Sequence, residues 1–244
     1  MALLMEMKNV NKTFFSQNGE VKVLNNISFA IYDNEIIAIL GPSGCGKSTI
    51  LNLLSKLEEP TSGEIISKCK KGYMFQKDNL MEWRNIYNNI LIGLEIKHLK
   101  TKQNLEYVDS LLKKYQLEEF KNYHPHELSG GMRQRVSLIR TLALKPDLLL
   151  LDEPFSALDY QTKLYVQNDV FSIIKQEKKA ALIVTHDISE AIALSDKIII
   201  LSNRPCSIKN IIYLDFDKTL TPLQRRTNPK FNQYFKKVHQ ELEN

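Results

Sequence analysis

The chain is poor in cysteine and contains no long apolar run. Its 244 residues include 3 cysteines, Cys45, Cys69 and Cys206. Their spacing is unlike that of a metal site, and an odd number argues against a disulfide framework. No apolar stretch approaches the roughly 20 residues that cross a bilayer. The first residues lack the basic segment of a signal peptide, so we expect a protein of the cytoplasm.

The sequence also lacks internal repeats and low-complexity tracts. Hydrophobic residues make up 43% and charged residues 25%, which is typical of a globular protein. The net charge is +5, partly from basic residues near the C-terminus. This charge could attract nucleic acid or an anionic membrane, or it could simply solvate the surface. The basic residues are spread out, which favours the second interpretation.

The most informative segment is GPSGCGKST, residues 41–49. It matches the phosphate-loop pattern G-x-x-x-x-G-K-[ST], and it lies between a buried apolar run, Ile36–Leu40, and a helical pattern from Ile50 to Leu57. Glycines let successive N–H groups point inward toward phosphate. Lys47 would reach the β- and γ-phosphates and Ser48 would hold Mg²⁺. The alternative is a glycine-rich turn that matches by chance.

Two further segments carry polar groups at positions suited to the same chemistry. The apolar run 148–151 ends in Asp152 and Glu153. An aspartate at such a strand end can hold Mg²⁺, and the next carboxylate can orient the attacking water. Ser129 is a good N-cap before Gly130 and Gly131, whose uncovered N–H groups form an anion site. Taken alone, these would be two surface acids and an ordinary capped helix.

LSGG followed by MRQR, residues 128–135, resembles the signature sequence of the ATP-binding-cassette (ABC) family. Along nearly its whole length the chain resembles an ABC ATPase subunit, with a Walker A loop at 41–49 and a Walker B strand at 148–154. The resemblance implies ATP and Mg²⁺ as ligands. It assigns nucleotide binding to the whole loop, namely Gly41, Pro42, Ser43, Gly44, Cys45, Gly46, Lys47, Ser48 and Thr49. Within that loop, Cys45 is expected to fill space rather than to catalyse, although thiol-alkylating reagents could inhibit the protein.

Other residues match shorter motifs of the family. Gln76 resembles the Q-loop glutamine, a ligand of metal and water, and His186 resembles the histidine that senses the γ-phosphate. Asp159 matches the D-loop, and it could equally be a plain N-cap. Phe14 lies where the family stacks an aromatic ring on adenine, but Phe15 leaves that choice open.

The resemblance implies a head-to-tail dimer. Each ATP would lie between the Walker A loop of one chain and Ser129, Gly130 and Gly131 of the other. Hydrolysis by Glu153, with His186 and Gln76, would reopen the dimer, so ATP binding shifts a conformational population.

Hydrophobic patterning and the resemblance together predict an α/β fold. The patterning indicates antiparallel strands, a parallel sheet and an inserted helical block. The resemblance implies that these form a P-loop ABC cassette with a RecA-like parallel core, an antiparallel β subdomain and an inserted helical subdomain. Met5 and Met7 alternate with polar residues, as do Ile27, Phe29 and Ile31, with Phe14 and Phe15 in the connection between these strands. The predicted single domain divides into 1–84 and 146–228 (core and antiparallel strands), 85–145 (helices with the signature) and 229–244 (a basic helix).

Residues 76–85 and Arg204-Pro205 resemble segments of nitrate/sulfonate/taurine-type importer ATPases, a group that also imports vitamin precursors. Asn34 and Glu82 depart from the family pattern, and so does Cys206, which stands where glycine is usual. Trp83, the only tryptophan, is expected either at an interface with a membrane subunit or in the core.

The resemblance implies a second ATPase chain, separate permease subunits and, indirectly, a solute-binding protein, but no nucleic acid. The protein would then lie on the cytoplasmic face of the cell membrane. We expect no regulatory C-terminal domain like that of maltose-type ATPases, because the sequence to residue 244 leaves no room for one. An exporter subunit, a non-transport ABC protein acting on nucleic acid or ribosomes, and an unrelated P-loop kinase are the alternatives.

Overall fold

The computed structural model describes residues 2–16 and 19–243. Met1 and Asn244, at the ends of the predicted domain, lie outside this description. The strands are β1 (Leu3–Ser16), β2 (Gly19–Tyr32), β3 (Ile36–Leu40), β4 (Ser62–Ser67), β5 (Lys71–Met74), β6 (Leu148–Asp152), β7 (Ala180–Val184), β8 (Lys197–Leu201) and β9 (Ile208–Tyr213). The α-helices are α1 (Lys47–Ser55), α2 (Ile86–Ile96), α3 (Lys102–Lys114), α4 (Gly130–Leu142), α5 (Tyr160–Gln176), α6 (Ile188–Leu194), α7 (Pro222–Thr227) and α8 (Pro229–Glu243).

The larger sheet has the strand order β5-β6-β7-β3-β8-β9. The first five strands are parallel, and β9 joins β8 in antiparallel orientation. Residues of β3, β6, β7 and β8 are almost wholly buried, which explains why they read as continuous apolar runs rather than alternating ones. The predicted α/β class is confirmed. Because β5, β6, β7 and β3 are parallel neighbours, their carboxyl ends lie side by side.

Both faces of this sheet are covered. In β6, Leu149 and Leu151 pack with the helices on one face, whereas Leu148 and Leu150 pack toward α1 and the smaller sheet. Each such side chain contributes about 1.5–3 kcal/mol when fully buried. Apolar side chains therefore pack on both faces of the sheet. The polar residues lie beyond this packing, at the ends of the strands.

The smaller sheet has the order β2-β1-β4, and its strands are antiparallel. As the alternation predicts, Met5 and Met7 are buried against the main core. The expected connection containing Phe14 and Phe15 is wrong, because both residues belong to β1 and pair with Val21 and Glu20 of β2. The β1–β2 ladder extends further than the period-2 pattern indicated, since backbone pairing does not require buried side chains.

Helices α2, α3 and α4 follow one another between β5 and β6. Asn85 caps α2 and Thr101 caps α3 through side-chain hydrogen bonds to backbone N–H groups. Trp83 lies just before α2 and is 78% exposed, so the core alternative for this residue is wrong. The helical character predicted for residues 85–145 is observed.

Helix α8 packs on the sheet next to β8 and β9. Phe231 and Val238 are buried in one cluster with Ile198 and Ile200, while the lysines of the helix remain outside it. In the part of the chain that the structure describes, no helix combines the length and apolar character needed to span a bilayer.

Candidate active site

The loop of residues 41–46 joins β3 to α1, which begins at Lys47 rather than at the predicted Ile50. Gly46 has φ 127°, and a Cβ at this position would lie 2.9 Å from Val23 Cγ1 and 2.8 Å from Leu24 Cδ2. A side chain at Gly46 would therefore be strained and would collide with β2. Gly44, at φ 71°, is the other loop residue in the left-handed region.

Lys47 is buried, and its Nζ donates to the carbonyl oxygens of Gly41 at 2.8 Å and Pro42 at 2.9 Å. The ammonium thus lies under the loop, where it concentrates positive charge. A cavity of about 330 Å³ opens beside it. This cavity is bordered by residues of the loop, by one acid and by one arginine, namely Ser43, Gly44, Gly46, Lys47, Ser48, Thr49, Glu153 and Arg204.

Ser48 and Asp152 meet at the floor of the site. Ser48 Oγ donates to Asp152 Oδ1 at 3.2 Å, and the hydroxyl of Tyr73 donates to Asp152 Oδ2 at 3.3 Å. Burial raises the pKa of Asp152, and the hydrogen bonds from Ser48 and Tyr73 act against this shift. A hydroxyl and a carboxylate side by side form the all-oxygen donor set that suits Mg²⁺.

Glu153 lies directly after β6 in the left-handed region, at φ 43°. Its N–H donates to Val184 O at 2.9 Å, which ties it to the end of β7. His186 Nδ1 is 3.3 Å from Glu153 Oε1, and Gln76 Nε2 donates to Glu153 Oε2 at 3.2 Å. Non-glycine residues adopt this backbone conformation rarely and at a cost, most often at functional sites.

The topology explains why these three side chains meet. Gln76 follows β5, Glu153 follows β6 and His186 follows β7, and these strands are parallel neighbours. Their carboxyl ends therefore lie at one edge of the sheet, beside the loop that follows β3. The structure brings together the predicted residues Gln76, Ser48, Asp152, Glu153 and His186. Ser48 and Glu153 border the cavity, and each of the other three contacts one of these two.

The signature residues lie apart from that cavity. Ser129 caps α4, and its Oγ accepts from Met132 N at 3.4 Å. Ser129 and Gly130 are exposed, whereas Gly131 is buried. No described residue of 129–131 borders the cavity beside Lys47.

Asp159 and Phe14 also lie outside the cavity lining. Asp159 caps α5 by accepting from Thr162 N at 3.1 Å, so its expected N-cap role is observed. Phe14 is partly exposed on β1, with Lys12 Nζ 4.7 Å from its ring centroid. Phe15 is more exposed still, and the geometry leaves the choice between the two rings open.

Cys45 is buried and packs in the same cluster as Cys206. A hydrogen bond from the Cys206 thiol lowers the pKa of Cys45, and nearby Lys47 acts in the same direction. The expectation that Cys45 fills space agrees with its burial.

Sequence reasoning missed two contributors to the site. Tyr73, on β5, connects Asp152 to Asn52 of α1 through its hydroxyl group. Arg204, noted only as part of a subfamily motif, borders the cavity and donates to Gly44 O. Its position beyond β8, the strand next to β3, was the only available signal, whereas nothing in the sequence pointed to Tyr73.

The model of the family described as ABC transporter matches residues 24–156, which include the loop and both residues of the Asp152–Glu153 pair. The chain belongs to the ABC transporter family. It is an ATP-binding subunit and an ATPase, which confirms the resemblance drawn from its motifs.

Relatives match this ABC chain over almost its full length. It is 37% identical to the aliphatic sulfonates import ATP-binding protein of Bacillus anthracis, over 99% of this chain and 96% of the relative. It is 34% identical to the nitrate import ATP-binding protein of Synechococcus elongatus, over 86% of this chain and 80% of the relative.

A solved structure extends the comparison to the fold. A dimeric ATP-binding cassette in a post-hydrolysis state, bound to ADP and Pi, superposes with a TM-score of 0.74 at 29% identity. The match covers 88% of this chain and 100% of that one. The P-loop ABC cassette fold is therefore confirmed.

Proposed function

We propose that this ABC subunit hydrolyses ATP with Glu153 as general base and thereby energises import of a small solute. The contact of Glu153 with both His186 and Gln76, beside the Lys47 cavity, carries this proposal. Water attacks the γ-phosphorus, Glu153 accepts the water proton, and the bond to the oxygen that bridges to the β-phosphate breaks. Lys47 and the loop N–H groups hold the phosphates, and His186 contacts the γ-phosphate.

Ser48 and Asp152 fit a Mg²⁺ ion, with Gln76 as a further oxygen donor. When bound, Mg²⁺ neutralises phosphate charge. In this arrangement Tyr73 orients the Asp152 carboxylate through the hydrogen bond at 3.3 Å. Phe14, or its neighbour Phe15, stacks on the adenine.

The working unit is a head-to-tail homodimer. Support comes from the position of Ser129, Gly130 and Gly131, which do not border the cavity in the described chain, and from the dimeric cassette that matches this fold. In the dimer these signature residues contact the γ-phosphate held by the partner chain, and Asp159 lies at the same junction. ATP therefore favours the closed state only while its γ-phosphate bridges both chains.

Separate permease subunits dock on the helical part of each chain. Trp83 supports this proposal, because a tryptophan exposed to 78% beside a cavity of about 390 Å³ suits an interface anchor. The protein then lies on the cytoplasmic face of the membrane and acts with a solute-binding protein. In this arrangement residues 85–145 act as a helical subdomain that moves with the permease, and residues 1–84 with 146–228 form the nucleotide-binding core. The C-terminal segment, proposed as 229–244, stabilises β8 and β9 through helix α8.

The solute is proposed to be a small oxyanion of the sulfonate or nitrate type, because the relatives named for importing these anions match most of the chain. Vitamin precursors are the second class. The ATPase does not contact the solute, so this assignment depends on the relatives alone.

The test is a pull-down of tagged Glu153→Gln protein from its native membranes with Mg-ATP, with wild-type protein and ADP as the control. Recovery of a polytopic membrane protein and a solute-binding protein is the expected result. The binding protein is then screened against sulfonates, nitrate and vitamin precursors. Recovery of ribosomes or nucleic acid, or of a membrane protein that exports, would overturn the import assignment.

A further inference from the structure

Helix α5 contacts the signature motif on one side. A Cβ added to Gly131 would lie 2.8 Å from Val166 Cγ2 and 3.3 Å from Thr162 Cγ2. The first turn of α4 therefore packs directly on side chains of α5, and Gly130 similarly approaches Leu158, one residue before the α5 cap. A displacement of the signature residues must move α5, because packed side chains leave no free volume between the helices.

The same helix contacts the segment that carries His186. Lys163 Nζ lies 2.8 Å from Asp187 Oδ2 and 3.1 Å from Glu190 Oε2. Asp187 directly follows His186, and its Oδ1 caps α6 by accepting from Glu190 N at 3.1 Å. One ammonium group thus fixes the residue after the histidine and the first turn of the next helix.

This contact is shielded from water. The side chain of Lys163 is 17% exposed and that of Glu190 is 2% exposed. Gln167 Nε2 donates to Glu190 Oε2 at 3.2 Å, and Arg226 Nη2 donates to Gln167 Oε1 at 2.8 Å, which connects α7 to the same cluster. Among the described side chains, Lys163 is the one cation within 4 Å of Asp187 and Glu190, so its removal would release the contact that ties the His186 loop to α5.

We infer that Lys163 is a positioning residue for ATP hydrolysis. Through α5, it fixes the position of His186 relative to the signature glycines. The inference rests on the proposed function, in which His186 acts beside Glu153. In the proposed dimer, the signature residues of a chain contact one ATP and its His186 contacts the other. Helix α5 then couples the two ATP sites, because its first turns contact the signature glycine on one side and, through Lys163, the His186 loop on the other.

The test compares Lys163→Met and Lys163→Arg in the full chain, with Lys175→Met as the matched control. Lys175 lies on the same helix and forms an ion pair with Asp196 at 3.3 Å, away from the His186 loop. We expect Lys163→Met to lower kcat at least tenfold, to leave KM for ATP within twofold and to lower the Hill coefficient for ATP toward 1. Lys163→Arg should retain at least half of kcat, and Lys175→Met should match the wild type.

A merely structural role predicts a different pattern. The inference is overturned if kcat of Lys163→Met falls only in proportion to its folded fraction at the assay temperature. It is also overturned if Lys163→Met keeps the kcat and the Hill coefficient of the wild type. Asp187→Asn provides a second variant, because asparagine still caps a helix but carries no charge, and it should reproduce the loss of kcat. Failure of the proposed function is separate, since it would appear as continued turnover by Glu153→Gln.

Discussion

His186 Nδ1 lies 3.3 Å from Glu153 Oε1, and the two residues follow neighbouring parallel strands. Glu153 Oε2 accepts a hydrogen bond from Gln76 Nε2, so each of its two carboxylate oxygens has a nitrogen beside it. A carboxylate held on both sides keeps one orientation toward the cavity. This arrangement supports the proposal that Glu153 accepts the proton of the attacking water.

Replacing Glu153 by glutamine should stop hydrolysis without preventing nucleotide binding. Glutamine keeps the size and one oxygen of the side chain but cannot accept a proton from water, so we expect kcat to fall by about 100-fold or more. ATP should then hold the protein as a dimer on a sizing column. Glu106→Gln, which changes an exposed acid, is the control. Rapid turnover by Glu153→Gln would refute the assignment of the base.

Replacing Lys47 by alanine should weaken ATP binding. Lys47 is the only lysine among the described residues that border the cavity. Charge-assisted hydrogen bonds contribute about 1.5–3 kcal/mol, or about 10- to 100-fold in affinity. Isothermal titration with ATP measures the change, and Lys102→Ala at an exposed position is the control. Unchanged affinity in a folded Lys47→Ala protein would contradict the phosphate-loop interpretation.

Replacing Trp83 by alanine should leave the Tm and ATP affinity of the isolated subunit unchanged, because the side chain is exposed. Binding to the permease should weaken by about 1–2 kcal/mol, or about 5- to 30-fold, as expected for an aromatic anchor. Co-purification with the membrane subunits measures this loss. Tyr213→Ala, at an equally exposed aromatic on the sheet edge, should have no such effect. Full permease binding by Trp83→Ala would place the docking surface elsewhere.

The stability of the protein should depend on pH through Glu190. Burial raises the pKa of this carboxyl from its ordinary value of 4.5 to about 7. The folded state therefore holds a proton that the unfolded state releases, so this stability is present below pH 4.5 and is lost as the pH rises through 7. The glutamine in Glu190→Gln cannot titrate. As the pH rises through this range, the wild type should therefore lose about 2 kcal/mol of stability that the variant keeps. The Tm of the variant should rise by a few degrees relative to that of the wild type.

Thermal unfolding of both proteins between pH 5 and 8 checks this prediction, with Glu106→Gln as the matched control because that acid is exposed. A constant difference in Tm between Glu190→Gln and the wild type would show that Glu190 does not change its protonation state in this range.

The sequence by itself determined the phosphate loop, the fully buried strands and most of the candidate residues of the site. The conformation of loop 41–49 depends on its own residues, because Gly46 is required at φ 127°. A local sequence pattern is therefore enough to predict it. The fully apolar runs of β3 and β6 likewise predicted buried parallel strands, because only a sheet covered on both faces accepts them. Asn34, in the turn before β3, has φ 56°, a left-handed conformation that asparagine tolerates.

Only the tertiary structure decided which distant residues meet. Tyr73 reaches Asp152 because β5 and β6 are neighbours, and strand order is set by packing of the whole sheet rather than by any local pattern. The exposure of Trp83 and the extension of β1 through Phe14 likewise depend on tertiary packing rather than on a local sequence pattern. Lys163 reads as an ordinary surface lysine in the sequence. Its contacts with Asp187 and Glu190 exist because α5 and α6 pack side by side on one sheet.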